Sequence, residues 1–180
     1  YKKLEKIKVN DYFTGNIITG CEFSAVHEGK PVEILGYDIY PDKDFADGIG
    51  MNYVDKKTIL EKSDFVSLHV PLTDEMYHFI DKKELDMMKD TAFLINTSRG
   101  GIVNEDALYN ALKDKKISGA ALDVFETEPP INNKLITLDN IILSPHCGAS
   151  TVDATNRMGV MAAEGLISIL ENMEPKDLEK

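Results

Sequence analysis

The chain has 180 residues, of which 43% are hydrophobic and 28% charged, and its net charge is −11. That length suits one domain, or one domain with a terminal appendage, and it needs neither a metal nor a disulfide to fold. So acidic a chain is a poor candidate for binding nucleic acids or anionic membranes, because both depend on clustered lysine and arginine.

Five short apolar runs rich in β-branched residues predict buried strands. They occupy residues 32–37, 65–69, 92–96, 119–124 and 140–143. Helical spacing occurs at residues 56–62, at 82–88 after an Asp81 cap, at 104–112 with Asn104 as cap, and from 150 or 151 to about 172. Strands that alternate with helices in this way predict an α/β fold, a doubly wound parallel sheet of the Rossmann-like type.

A polar or ionisable group follows each of the five predicted strands. In chain order these groups are Asp38, His69, the segment 97–101, Asp123 with Glu126 and Glu128, and His146. In a doubly wound sheet, ligands bind beyond the carboxyl ends of the strands. Five such groups in succession therefore indicate one ligand site at that edge.

Asp38 and Arg99 have side chains suited to specific ligand groups. A carboxylate after the second strand can accept both ribose hydroxyls of an adenosine and would repel a 2′-phosphate, which favours NAD over NADP. Arg99 is one of only two arginines, and its planar fork can grip a carboxylate through two hydrogen bonds. The alternatives are a turn aspartate before Pro41 and a loop arginine in a salt bridge.

His146 follows the last predicted strand and is a candidate acid–base group. Hydride transfer between a hydroxyl and a carbonyl carbon needs a partner that gives or takes a proton near neutral pH, and imidazole suits this role. Glu128, on the loop after the neighbouring strand, is a candidate to orient the ring and favour its charged form. The alternative for His146 is a loop histidine with an ordinary hydrogen bond.

Four segments resemble a known family. Residues 96–108, 119–130 and 143–151 resemble the arginine, glutamate and histidine signatures of D-isomer-specific 2-hydroxyacid dehydrogenases. Residues 63–73 resemble the strand and loop on the adenine side. The sequences of these motifs are most similar to those of D-3-phosphoglycerate dehydrogenases and of hydroxypyruvate or glyoxylate reductases. The resemblance covers about residues 34–172.

The resemblance implies a role for each of these residues. His146 would be the acid–base group paired with Glu128, and Arg99 would bind the substrate carboxylate and carbonyl oxygen close to the cofactor. Asp123 would contact the nicotinamide carboxamide of NAD, and Asp38 the adenosine ribose. The rest of the cofactor cleft would be lined by His69, Val70, Pro71, Thr97, Ser98, Gly148 and Ala149. No metal is expected.

The sequence departs from the family pattern in two respects. The substrate domain that normally precedes this region does not occur in it, and no GxGxxG stands about 20 residues before Asp38. We therefore expect the first strand and its turn, about ten residues, to be missing. Two explanations stay open. Either the protein has a real deletion, or the sequence is joined across residues that are missing from it. We predict an irregular segment at 1–30 and the dinucleotide-binding domain at 31–150. We predict a C-terminal helix at 151–180 that crosses back to a substrate domain or a partner.

Three hypotheses follow, namely an oxidoreductase that uses a small 2-hydroxy or 2-keto acid, a non-catalytic NAD-sensing or interaction module, and an inactive fragment of such an enzyme. The two cysteines, Cys21 and Cys147, have neither disulfide nor metal-ligand spacing, which favours a cytoplasmic protein. The last predicted helix has seven apolar positions that need a partner, so we expect a homo-oligomer, in the simplest case a dimer. They are Val152, Met158, Val160, Met161, Leu166, Ile167 and Leu170.

Overall fold

The computed structural model describes residues 33–170, and before them the backbone of three short strands at 15–18, 26–27 and 30–31. The chain divides into two compact units, residues 1–145 and residues 146–180. Nine strands belong to the described part of the first unit. They are β1 (Gly15–Ile18), β2 (Val26–His27), β3 (Lys30–Pro31), β4 (Ile34–Gly36), β5 (Met51–Tyr53), β6 (Phe65–Leu68), β7 (Phe93–Asn96), β8 (Gly119–Leu122) and β9 (Ile141–Leu143).

Seven of these strands form one parallel sheet in the order β5-β4-β1-β6-β7-β8-β9. The chain runs outward from β1 to β4 and β5, then crosses to β6 and runs outward on the other side. This reversal of strand order next to β1 is the position at which doubly wound sheets bind their ligands. The five predicted strands correspond to β4, β6, β7, β8 and β9, so the Rossmann-like α/β prediction is confirmed.

The prediction that the first strand is missing is wrong. β1 lies inside the sheet between β4 and β6, where Gly15 is in register with Ile34 of β4 and with Phe65 of β6. The segment predicted as irregular, residues 1–30, therefore contributes a sheet strand. Its four residues, Gly-Asn-Ile-Ile, are too few and too mixed to show a strand pattern without their partners. The predicted site of the missing glycine-rich turn, residues 19–25, lies outside the described residues.

The connection from β1 to β4 is described in part. In its described residues the connection holds β2 and β3, a two-residue antiparallel ladder that pairs Val26 with Pro31 and His27 with Lys30.

In the described residues, four α-helices belong to the first unit and one to the second. They are α1 (Lys43–Ile49), α2 (Lys56–Lys62), α3 (Lys82–Met87), α4 (Glu105–Lys113) and α5 (Val152–Leu170). The caps explain where the predicted helices begin. Asp81 closes a capping box with Glu84 at the start of α3, and Asn104 accepts hydrogen bonds from two amides at the start of α4. The observed bounds of α2, α3 and α4 confirm the predicted positions of these helices.

Helices cover both faces of the sheet. The neighbouring residues Ile34 and Leu35 of β4 point to opposite faces, as successive strand residues must. Ile34 packs with Ala46 of α1 in a small core, whereas Leu35 belongs to the main core with Ile59 of α2 and Leu108 of α4. Crossovers between parallel strands are right-handed as a rule, so the reversal of strand order between β5 and β6 places helices on opposite faces.

The described part of the second unit, residues 146–170, consists of a short segment and α5. The Thr151 hydroxyl accepts a hydrogen bond from the Ala154 amide at 3.1 Å, which fixes the start of the helix where the sequence predicts it. Leu170 is the last described residue, so the predicted continuation to residue 172 lies outside the described residues. Among residues that the structure describes, no helix has the length and apolar character needed to cross a membrane. The proposed boundaries at residues 30 and 150 stay predictions.

Candidate active site

The sheet brings the predicted site residues of the first unit to one edge. Leu68, Asn96 and Leu122 are in register at the ends of β6, β7 and β8. The predicted groups at 69–71, 97–99 and 123–128 therefore leave the sheet at the same edge, the carboxyl edge of parallel strands. His146, Gly148 and Ala149 belong to the second unit, and their meeting with the other groups stays a prediction.

Asp38 lies two residues beyond the end of β4 and is half-buried. Its Oδ1 accepts a hydrogen bond from the Tyr40 amide at 2.8 Å, which is the contact of an Asx-type turn. The turn interpretation of Asp38 is thus present in the structure. It is compatible with ribose binding, because an ionised carboxylate has about four acceptor positions and the turn uses one of them.

His69 leaves β6 half-buried, and its Nε2 lies 2.7 Å from the Ser67 hydroxyl. Burial lowers the pKa of His69 from its ordinary value, since a charged ring loses solvation there. The imidazole at this edge is therefore held in its neutral form near pH 7. Val70, which follows, packs against the main core, whereas Pro71 is exposed.

Asn96 organises the loop that carries Arg99, a role that the sequence analysis missed. Its side chain is buried at the end of β7, and its Nδ2 donates to the Arg99 carbonyl at 3.0 Å. Its Oδ1 accepts from the Ser98 amide at 3.1 Å and the Ser98 hydroxyl at 2.8 Å. The available signal was a polar residue at the last position of an otherwise apolar strand.

Arg99 is exposed beside this loop, as is Thr97, and Ser98 is half-buried. The guanidinium Nη1 donates to the Ser98 carbonyl at 2.7 Å. Within residues 33–170 the guanidinium forms no salt bridge with an acidic side chain. The structure therefore does not support the alternative of a loop arginine in a salt bridge.

The loop after β7 packs directly on the loop after β8. A Cβ atom on Gly100 would lie 1.8 Å from the Phe125 carbonyl oxygen, so only glycine fits at this contact. The Phe125 amide donates to Glu128 Oε1 at 3.0 Å. One residue, Phe125, thus touches the loop of Arg99 through its carbonyl and holds the Glu128 carboxylate through its amide.

Asp123 is 4% exposed at the end of β8, and its Oδ1 accepts a hydrogen bond from the Ser144 hydroxyl at 2.6 Å. Its amide donates to the Asn96 carbonyl at 3.0 Å, which continues the pairing of β8 with β7 beyond the strands. A buried carboxylate needs hydrogen-bond donors, and the Ser144 hydroxyl supplies one.

His146 has a backbone φ of 52°, in the left-handed region. Residues other than glycine are uncommon in this region, and such backbone outliers cluster at functional sites. The side chain is exposed within the second unit, as are Gly148 and Ala149. The unusual backbone is an independent reason to single out His146.

The parallel sheet, its strand order and the polar carboxyl edge define a dinucleotide-binding α/β domain. The sequence profile of the "D-isomer specific 2-hydroxyacid dehydrogenase, NAD binding domain" matches residues 14–148. The chain belongs to this family of NAD-binding domains.

Relatives and solved structures agree with this assignment. A "Glyoxylate reductase" of Korarchaeum cryptofilum (strain OPF8) is 47% identical over 160 residues, 88% of this chain and 48% of the relative. A "D-3-phosphoglycerate dehydrogenase" of Methanocaldococcus jannaschii is 46% identical, over 77% of this chain and 27% of the relative. A D-lactate dehydrogenase from Aquifex aeolicus, complexed with NAD and lactic acid, superposes with a TM-score of 0.78 and 29% identity, covering 89% of this chain and 54% of that one. The chain thus spans about half the length, or less, of the relatives it matches.

Proposed function

We propose that this chain is the cofactor-binding half of an oxidoreductase that transfers hydride between NAD(H) and a D-2-hydroxy acid or its 2-keto acid. The observation that carries the proposal is the contact at Phe125, which joins the loop of Arg99 to the Glu128 carboxylate. A cation able to bind a carboxylate and an anion able to stabilise an imidazolium are thereby placed on two loops in contact.

The residues at the carboxyl edge fit NAD by the chemistry of their donors and acceptors. We assign the adenosine ribose to Asp38 and the nicotinamide carboxamide to Asp123. The remaining cleft residues are His69, Val70, Pro71, Thr97, Ser98, Gly148 and Ala149. Bound NAD would accept the hydride in oxidation and supply it in reduction.

Arg99 would hold the substrate carboxylate through its guanidinium fork and orient the reacting carbon. His146 would take the hydroxyl proton during oxidation and return it to the carbonyl oxygen during reduction. Glu128 would stabilise the imidazolium that oxidation leaves on His146 and that reduction consumes.

The two arginines of the chain allow a matched test. Arg99→Lys keeps the charge but loses the planar fork, whereas Arg157→Lys makes the same change on the exposed face of α5. With glyoxylate and NADH as probes, followed by absorbance at 340 nm, we expect Arg99→Lys to lower kcat/KM by about 100-fold or more, equal to about 2.7 kcal/mol. Arg157→Lys should match the wild type, and equal activity of both variants would contradict the role of Arg99.

His146→Ala tests the acid–base role separately, with an expected loss of about 10²–10⁴-fold in turnover. An unchanged rate in this variant would refute the assignment.

A second candidate is a non-catalytic NAD-sensing or interaction module, or an inactive fragment of the enzyme. It is favoured by the lack of a GxGxxG pattern before Asp38 in the sequence. NADH fluorescence separates the candidates, because a sensing module binds NADH without turnover, whereas an inactive fragment lacks turnover and binds no NADH at millimolar concentration.

We also propose that the protein forms a homo-oligomer in the cytoplasm. The apolar residues on α5 are exposed, and large apolar side chains exposed in this number mark an interaction site. Their exposed fractions range from 47% for Met161 to 77% for Val152. Light scattering that shows only monomer at high concentration would contradict the oligomer, and cell fractionation tests the location.

A further inference from the structure

A cluster of charged side chains lies beside the contact between the loop that carries Arg99 and the loop that carries Glu128. Glu126 Oε1 accepts a hydrogen bond from the Glu105 amide at 3.0 Å and lies 3.1 Å from His78 Nε2. In return, the Glu126 amide donates to Glu105 Oε1 at 2.7 Å. We call His78, Glu105 and Glu126 the Glu126 clamp.

Each member of the clamp is fixed to a different part of the site. The His78 amide donates to the Gly101 carbonyl at 2.7 Å, which ties the imidazole to the loop that carries Arg99. Glu105 is the first residue of α4, and its Oε2 accepts from Asn133 Nδ2 at 2.6 Å. Residues 126 and 133 are thereby both held to the start of α4, and the loop between them contains Glu128.

The charges in the clamp are arranged to support this geometry. The two carboxylates accept from backbone amides of each other's residues, so each has a donor within 3.0 Å. Glu126 also satisfies an amide that the first turn of α4 leaves without a helical partner, at the helix end that favours negative charge. Hydrogen bonds to ionised acceptors are about twice as strong as neutral ones, so the arrangement resists opening.

We infer that Glu126 is a positioning residue, which keeps the loop of Glu128 against the loop of Arg99 through Glu105 and His78. The expected effect of Glu126 on turnover rests on the proposed function. Glu126 differs from Glu128 in its contacts, because its carboxylate is committed to α4 and to His78, whereas Glu128 accepts from the Phe125 amide in its own loop.

Amide hydrogen exchange in the intact chain tests the inference without requiring activity. Glu126→Ala removes the acceptor, Glu126→Gln keeps an acceptor oxygen, and Thr127→Ala is a control in the same loop. In Glu126→Ala we expect the His78 and Phe125 amides to exchange about tenfold faster or more. In Glu126→Gln and in the control they should stay within about twofold of the wild type.

The Ala120 amide, which donates to the Asn140 carbonyl, reports opening of the sheet. If exchange of the Ala120 amide in Glu126→Ala accelerates as much as exchange of the His78 and Phe125 amides, the variant His78→Asn decides whether the clamp exists. This variant shortens the side chain so that it no longer reaches Glu126, and asparagine tolerates the φ of 53° at this position. In His78→Asn, faster exchange of the residue-78 amide without acceleration at Ala120 supports the clamp. Equal acceleration at Ala120 or unchanged exchange in His78→Asn overturns it, and so does identical behaviour of Glu126→Ala and Glu126→Gln.

Kinetics with NADH and glyoxylate add a second readout. We expect Glu126→Ala to lower kcat by about tenfold with the KM for NADH unchanged, and Glu126→Gln to restore most of the rate. A wild-type chain that shows no turnover counts against the proposed function, whereas the exchange result still decides the clamp.

Discussion

Replacing Gly100 by alanine tests the contact on which the proposed site depends. The added Cβ would lie 1.8 Å from the Phe125 carbonyl oxygen, 2.2 Å from its carbonyl carbon and 2.9 Å from the Glu126 amide nitrogen. Close carbon–oxygen contacts in proteins are about 3.3 Å, so the two loops must separate by about 1.5 Å. All three neighbouring atoms are backbone, and no side-chain rotation can relieve the overlap.

Two effects should follow. Overpacking of this kind costs about 1–3 kcal/mol of folding free energy. A misplacement of about 1 Å between reacting groups lowers a rate by about 100-fold, equal to about 2.7 kcal/mol, so a protein that stays folded should still lose most of its activity. Urea denaturation measures the first effect, and oxidation of NADH with glyoxylate measures the second.

Gly48→Ala is the matched control. Gly48 lies in the interior of α1, and a Cβ there would meet no atom within 4 Å. Alanine should therefore stabilise the protein by about 0.5–1 kcal/mol through helix propensity. A folded Gly100→Ala protein with wild-type stability and an unshifted Phe125 amide resonance would refute the reasoning.

Three further predictions concern the core, pH and the cofactor. Leu94 is fully buried, so Leu94→Ala should lose about 2–5 kcal/mol in urea denaturation, whereas Ile142→Ala, at a 71% exposed position, should lose less than about 0.5. The pKa of His69 is lowered by burial, so below about pH 6.5 the unfolded chain binds more protons and stability falls as pH falls. His69→Gln should flatten that part of the profile, and an NMR titration of His69 at or above 6.5 would contradict it. Asp38→Ser should narrow the preference for NADH over NADPH in fluorescence titrations, and an unchanged ratio would remove Asp38 from the ribose site.

Much of the architecture followed from periodicity and capping. The apolar runs indicated five strands because each is a continuous apolar stretch, and Asp81 and Asn104 marked helix starts through the side-chain caps that the structure contains. β1 and α1 were not predicted, because half of β1 is Gly15 and Asn16, and because a seven-residue helix with an internal glycine carries little periodic signal.

The candidate site was predictable in part, because strand ends share an edge once the sheet is parallel. The family, the fold and NAD as cofactor are confirmed, whereas the roles of Arg99, Glu128 and His146 stay predictions. The buried amide network of Asn96 and the steric demand at Gly100 could not be predicted. Both depend on contacts between loops, and sequence spacing does not encode such contacts.

A titration of the ¹⁵N-labelled chain with NADH, followed residue by residue in the amide spectrum, tests most directly whether the carboxyl edge of the sheet binds the cofactor. We predict shifts of the amides of Asp38, Val70, Ser98 and Asp123. No comparable shift should occur in the cavity of about 560 Å³ between α3 and α4, which Asp90 and Asn110 line. Shifts confined to that cavity, or none at millimolar NADH, would contradict the account.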